Sequence, residues 1–321
     1  MSMSAPPKVT IGIPTYNRPD GLRRTVQCML DQTYPWIEII ISDNCSTDDS
    51  VEKIGRDFAA RDKRVRYIHQ PENLGAVRNL FHLLEEAGND YFMWAADDDW
   101  WDPRFIEVTL PLLIDRPQAA VSLARFTPMA ESNVNPVTRL PDYHEHIKKL
   151  SNPDSVLRMR NYIRQKDVYG KAHIIYGLMR TRALREAVRI TRQAIEPRAC
   201  IGDFMHMDVV LNGALLSIGD ITTTDQPLRR FSYGARKSPP KTGTKWIERM
   251  LKYDRRIFIY LDCYYPIIDK MPLGDSEKAR LRRAVRLRKF NFIMERIGRR
   301  LLVYKIYWHF KKRLCFKPVI S

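Results

Sequence analysis

The chain has 321 residues, 44% of them hydrophobic and 28% charged, enough for one large α/β domain or two modest ones; that balance excludes a wholly disordered chain. Five scattered cysteines with no CxxC pair argue against a disulfide framework or a thiolate zinc site and fit a reducing cytoplasm. The formal charge of +17 sits at one end. Residues 241–321 hold 22 Lys and Arg against 7 Asp and Glu, whereas residues 1–240 hold 32 against 30, so arguments about partners from charge belong to the tail.

The N-terminus "MSMSAPPKV" has no charged segment followed by an apolar one, so no secretory leader is expected. No apolar run reaches the about 20 residues of a spanning helix. From Lys8 to Pro103 short apolar runs alternate with amphipathic stretches. "KVTIGIP" (8–14), "WIEIIIS" (36–42), "RVRYIH" (64–69) and "DYFMWA" (90–95) read as strands. Between them, "RPDGLRRTVQCMLDQT", "STDDSVEKIGRDFAARD" and "GAVRNLFHLLEEA" (75–87) read as helices. Such βαβ units demand a parallel sheet with helices on both faces, whose ligand lies outside the carboxyl ends of the strands. The four segments leaving those strands, "PTYNRPD", "SDNCSTDD", "QPENLGA" and "ADDDWWDP", are rich in Asp, Asn, Thr, Tyr and Pro and are expected to converge. Beyond Pro117 the alternation fades. Residues 131–155 read as loop, "HMDVVLNGALLSIG" (206–219) as a helix turning into a strand, and "DITTTDQPLRRFSYG" as edge-like extended chain. "GARKSPPKTGTK" (234–245) reads as a linker before amphipathic helices.

Asp97, Asp98 and Asp99 directly follow an apolar strand. Adjacent carboxylates repel unless a cation neutralises them. In extended chain Asp97 and Asp99 face the same way and can address one ion. Hard cations such as Mg²⁺ or Mn²⁺ take such ligands, usually with phosphate oxygens completing the shell. The competing reading is a solvated acidic turn. The chain has neither GxGxxG nor GxxxxGK[ST], so a Rossmann dinucleotide crevice and a P-loop are unsupported, and a metal-held diphosphate remains.

"VTIGIPTYNRPDGLRRTVQCMLDQTYPWIEIIISDNCSTDDS", "ENLGAVRN" and "FMWAADDDWWDP" together resemble the family 2 glycosyltransferases of the GT-A fold, over roughly the first 115 residues. The resemblance implies a GT-A-type, Rossmann-like, mostly parallel sheet flanked by helices. It also implies an inverting enzyme moving a sugar from a nucleoside-diphosphate donor to an acceptor hydroxyl with a divalent metal. On this chain it places Pro14, Thr15, Tyr16 and Asn17 along the nucleotide, Asp43 at the base, and Arg78 with Asn79 over base and diphosphate. Asp98 falls near the ribose, Asp99 at the metal, and Asp97 adds to the metal site or to its charge. Asn44 and Ala96 stand where many relatives have Asp, which leaves the division of labour within the triplet open. An inverting displacement needs one general base, which the family carries about eleven residues before a Gly opening an extended segment that ends in Pro-Leu. Counting back from Gly219 gives Asp208, with Asp203 as competitor and His206 between them. Trp100 and Trp101 can stack on a sugar or simply pack.

The organisation expected is a nucleotide-sugar-binding half (1–117), an acceptor-binding half of the same domain (118–240) and a basic helical region (241–321). Over 277–314, arginines and lysines interleave with apolar residues at three- and four-residue steps. That suits an anionic membrane surface and a glycan or lipid-linked glycan acceptor, with packing on the protein's own domain as the alternative. No nucleic-acid motif accompanies the charge, so no nucleic-acid partner is expected. The function expected is therefore a cytoplasmic glycosyltransferase, peripheral on the inner face of the membrane and serving bacterial surface polysaccharide synthesis. A nucleotidyltransferase of the same fold and a non-catalytic basic membrane- or nucleic-acid-binding protein are the alternatives.

Overall fold

A computed structural model describes residues 5–129, 142–199, 206–232 and 254–315; of residues 129, 168, 232 and 297–315 it describes the backbone alone. Asp203 and the linker signal at 234–245 lie outside the described residues. The described strands are β1 (Val9–Thr15), β2 (Ile37–Asp43), β3 (Val65–His69), β4 (Tyr91–Trp94), β5 (Trp100–Trp101), β6 (Ala119–Met129), β7 (Leu178–Arg180) and β8 (Asp220–Ser232). They form one sheet in the order β3-β2-β1-β4-β7-β6-β8-β5. The first four pair in parallel, as the βαβ pattern requires. Strand β7 then enters antiparallel to both β4 and β6, and β6 pairs with β8 in parallel. Strands β6, β7 and β8 come from residues 118–240 and extend the sheet begun by residues 1–117.

The helices are α1 (Pro19–Leu30), α2 (Asp49–Arg61), α3 (Ala76–Glu85), α4 (Phe105–Ile114), α5 (Tyr143–Lys148), α6 (Ser155–Arg164), α7 (Thr181–Ile195), α8 (Met207–Ile218), α9 (Tyr264–Lys270) and α10 (Asp275–Cys315). Helix α5 falls inside the stretch expected as loop; Asp142 caps it by accepting from the Glu145 N–H. Period-two alternation divides the strand side chains between two cores. Val9, Ile11, Ile13, Tyr91 and Met93 face α1, α2 and α4 with Leu22, Val26, Val51, Phe105 and Leu110. Phe92 and Trp94 face the other way, onto Phe81 of α3 and residues of α7, α8, α9 and α10. Gly12 of β1 is needed for this packing: a Cβ there would come 2.9 Å from Phe92 Cζ.

The described part of the tail is helical. Helix α10 buries Leu281, Val285 and Phe292. It is tied down by Lys166–Glu295 (2.7 Å), Arg296–Asp254 (2.6 Å) and Lys289–Asp262 ion pairs. Among the described residues, no helix is long and apolar enough to cross a membrane.

Candidate donor-binding cleft

A cleft of about 440 Å³ opens at the carboxyl ends of the parallel strands, where such a sheet places its ligand. All four strand exits supply its wall, with Pro14, Thr15, Tyr16 and Arg18 from the first, Asn44 from the second, and Ala96, Asp97 and Asp98 from the fourth. Asn73 of the third exit, Ala76, Asn79 and Leu80 close one side, and Tyr176 closes another.

The first and fourth exits are hydrogen-bonded to each other. Thr15 Oγ1 donates to Asp97 Oδ2 at 3.0 Å. One guanidinium nitrogen of Arg18, Nη1, lies 3.2 Å from Asp97 Oδ1 and 3.0 Å from Asp98 Oδ2. Asp97 is buried, and burial pushes its carboxyl above the usual carboxylate range; Arg18 is the largest opposing influence. Helix α1 supports the run from behind. Thr25 Oγ1 donates to Ala96 O at 3.3 Å, Arg24 Nη2 donates to Asp97 O at 3.4 Å, and Gly21 lets that carbonyl approach: a Cβ there would sit 2.2 Å from it.

Asp43, Asn17 and Arg78 sit outside the cleft wall, whereas Asn79 and Asn44 belong to it. Asp43 is fully buried: its Oδ1 accepts from Ser46 N (2.9 Å) and its Oδ2 from Tyr67 OH (2.8 Å). Asn17, in the left-handed region at φ 54°, accepts from Thr47 N at 2.8 Å and so stitches the first exit to the second. Arg78 is exposed on α3, while the next residue, Asn79, is buried and bonded to Ser42 through both amide atoms. Asn44 donates to Asn73 Oδ1 (2.9 Å) and accepts from Leu74 N (2.8 Å), which closes the cleft rim.

Asp99 is buried and paired with Arg229, so the run presents Asp97 and Asp98, but not Asp99, on the cleft wall. Among the described residues no group of three or more His, Cys, Asp or Glu side chains is arranged to hold a metal by itself. Trp101 is buried edge-on to Phe105 at 4.8 Å, and Trp100 lies under the Arg230 guanidinium at 3.8 Å.

Asp208 lies in the first turn of α8. Burial pushes its carboxyl up to about 6, Asp167 adds to the push, and the hydrogen bond from Val209 N opposes it. Asp208 is not on the cleft wall; Tyr176, which is, stacks on Arg229 at 4.3 Å, and burial pushes its phenol up, with Arg229 opposing and the charges of Asp99, Asp208 and Asp98 adding to the push. His206 is buried and stacked on Tyr260 at 5.1 Å.

The model for "Glycosyl transferase family 2" matches residues 10–185 of the chain, and the protein belongs to that family. The putative teichuronic acid biosynthesis glycosyltransferase TuaG of Bacillus subtilis is 33% identical over 125 residues, which cover 39% of this chain and 49% of TuaG. The chain thus spans about half the length of that relative. Among solved structures, S. aureus TarS 1-349 in complex with UDP-GlcNAc superposes with a TM-score of 0.57 at 16% identity, over 89% of this chain and 73% of TarS. The mannosyltransferase PcManGT from Pyrobaculum calidifontis, in complex with GDP-Man and Mn²⁺, superposes with a TM-score of 0.50 at 13% identity, over 87% and 69%. At these identities the likeness establishes the GT-A-type fold.

Proposed function

We propose that the protein is an inverting glycosyltransferase that moves a sugar from a nucleoside-diphosphate donor to an acceptor hydroxyl in the synthesis of a surface polysaccharide. The observation that carries this reading is the pair Asp97 and Asp98, sharing the Arg18 guanidinium at the mouth of a parallel sheet beside Pro14, Thr15 and Tyr16. The names of TuaG and TarS's ligand supply the polymer and the donor class.

The residues suit a divalent cation, Mg²⁺ or Mn²⁺. Arg18 Nη1 already stands as a positive charge between an oxygen of Asp97 and an oxygen of Asp98, so the two carboxylates converge on a single cationic position. Such ions are held by one or two carboxylates together with substrate phosphates. Bound there, the ion would neutralise the charge that develops on the departing diphosphate.

In this reading Pro14, Thr15, Tyr16 and Asn44 wall the nucleotide. Asp43 and Asn17 hold the turns that shape its pocket, and Arg78 caps it from the rim. Asp208 takes the proton of the acceptor hydroxyl as that oxygen bonds to the anomeric carbon; the bond from carbon to diphosphate breaks on the opposite face, and its electron pair leaves with the nucleoside diphosphate. A carboxyl at about 6 is ionised at neutral pH yet basic enough to assist. Asp203 is the alternative base.

The acceptor is a glycan or lipid-linked glycan. Contact with an anionic membrane is supported by exposed Leu287, Phe290, Ile293 and Met294 on α10, beside exposed Arg280, Arg283 and Arg286.

The test is a thermal-shift panel of UDP-, GDP-, CDP- and dTDP-sugars with and without Mn²⁺. One donor class is expected to stabilise the protein only with metal, and Asp97→Asn to abolish the shift. No shift with any donor would defeat the proposal.

A further inference from the structure

Within the acidic triplet, Asp99 is treated differently from its neighbours. Its Oδ2 accepts from Arg229 Nε at 2.8 Å and also from Nη2, and the two residues are only 3% and 2% exposed. The guanidinium is boxed by aromatic rings: Tyr176 at 4.3 Å, Trp101 at 5.2 Å and Phe126 at 5.7 Å. The register of β5 against β8, with Trp101 opposite Arg229, fixes this arrangement in the backbone. Asp97 and Asp98 instead line the cleft and, among the described residues, pair with the half-exposed Arg18.

We infer that Arg229 is a positioning residue that withdraws Asp99 from the metal's ligand set, leaving Asp97 and Asp98 as the two carboxylates that hold the cation. The inference rests on the metal-assisted reading above and divides the labour within it. A guanidinium does not lose its proton, and rings on three sides leave this one nowhere to retreat. A divalent ion drawn to the Asp99 oxygen facing Arg229 would stand against a fixed like charge in a medium that screens poorly. Two carboxylates suffice, because ions of this class complete their shell with phosphate oxygens and water. The Asp99–Arg229 pair then serves another purpose. It ties the end of the carboxylate run to β8, a strand of the second half of the domain, so that the cation-holding pair keeps a fixed place relative to the acceptor side.

Mn²⁺ binding in the presence of UDP, and in parallel GDP, read from the free-Mn²⁺ electron paramagnetic resonance signal, tests this without turnover. Asp97→Asn and Asp98→Asn are each expected to weaken Mn²⁺ about tenfold or more, and Asp99→Asn to leave it within about threefold of wild type. Because Asp99→Asn leaves a buried arginine unpaired and can impair folding, Arg229→Met supplies a second measurement. With the fixed guanidinium charge removed, Asp99 joins the ligand set and Mn²⁺ binding tightens about tenfold, a gain that a purely structural role would not produce. Arg229→Lys, which keeps the charge, stays near wild type. The inference is overturned if folded Asp99→Asn loses as much Mn²⁺ affinity as Asp97→Asn, or if folded Arg229→Met fails to gain any. Wild type that takes up no Mn²⁺ with either nucleotide would remove the metal reading itself, and this inference with it.

Discussion

Lowering the pH from 7 to 5 is expected to slow sugar transfer about tenfold through Asp208 alone. With its carboxyl at about 6, roughly nine-tenths of the protein carries the base ionised at pH 7 and roughly one-tenth at pH 5. A carboxyl at the ordinary 3.8 would stay almost fully ionised across that interval and give a flat profile. The same shift has an energetic consequence of opposite sign for stability. The folded-state value lies above the unfolded one, so folding is favoured below pH 3.8 relative to neutral pH, and that advantage is lost as pH rises through about 6. Ionised Asp208 therefore costs the native state at pH 7 up to about 3 kcal/mol for a shift of about two units, less whatever solvent reaches the group. Asp208→Asn should consequently abolish turnover, keep donor binding, and raise the melting temperature at pH 7 but not at pH 4. Nucleoside-diphosphate release measured from pH 5 to 8, with melting curves at pH 4 and 7, reads both effects. A rate constant between pH 7 and 5, or near-normal turnover in Asp208→Asn, would refute the assignment and move the role to Asp203.

Three further outcomes are expected. Gly21→Ala drives a methyl into the Asp97 carbonyl; it should lower stability by about 1–3 kcal/mol and weaken the donor-induced thermal shift, and an unchanged shift would show that α1 does not set the carboxylate run. Chelation with EDTA should remove the donor-induced shift in wild type while leaving the melting temperature of the ligand-free protein unchanged. Leu287→Ser with Phe290→Ser, on the exposed face of α10, should reduce sedimentation with vesicles containing anionic lipid and leave donor binding intact; equal sedimentation would assign the helix to packing alone.

Several features of the fold were legible because they are written in neighbouring residues. The four early strands, the helices between them and the polar character of each strand exit follow from period-two and period-3.6 patterns. The structure places the strands within one residue of where those patterns put them. Helix α5 was not legible, since six residues capped by Asp142 give too short a period to stand out from a polar stretch. Nor was the antiparallel entry of β7: three residues carry no periodicity, and their direction is set by what they pair with.

The candidate site divides along the same line. Sequence by itself determined that the polar exits of the four early strands, with the run Asp97, Asp98 and Asp99 among them, would meet at one end of a parallel sheet, because right-handed βαβ connections bring successive strand exits to the same edge. Only the tertiary structure decided which carboxylate faces what. Asp43 is spent on Ser46 and Tyr67, Asn44 reaches Asn73, and Tyr176 enters the cleft from the second half of the domain. Asp99 meets Arg229 from 130 residues away. No local pattern announces that last pair; it exists because β8 lies beside β5, and a buried charge must find its partner wherever packing brings one.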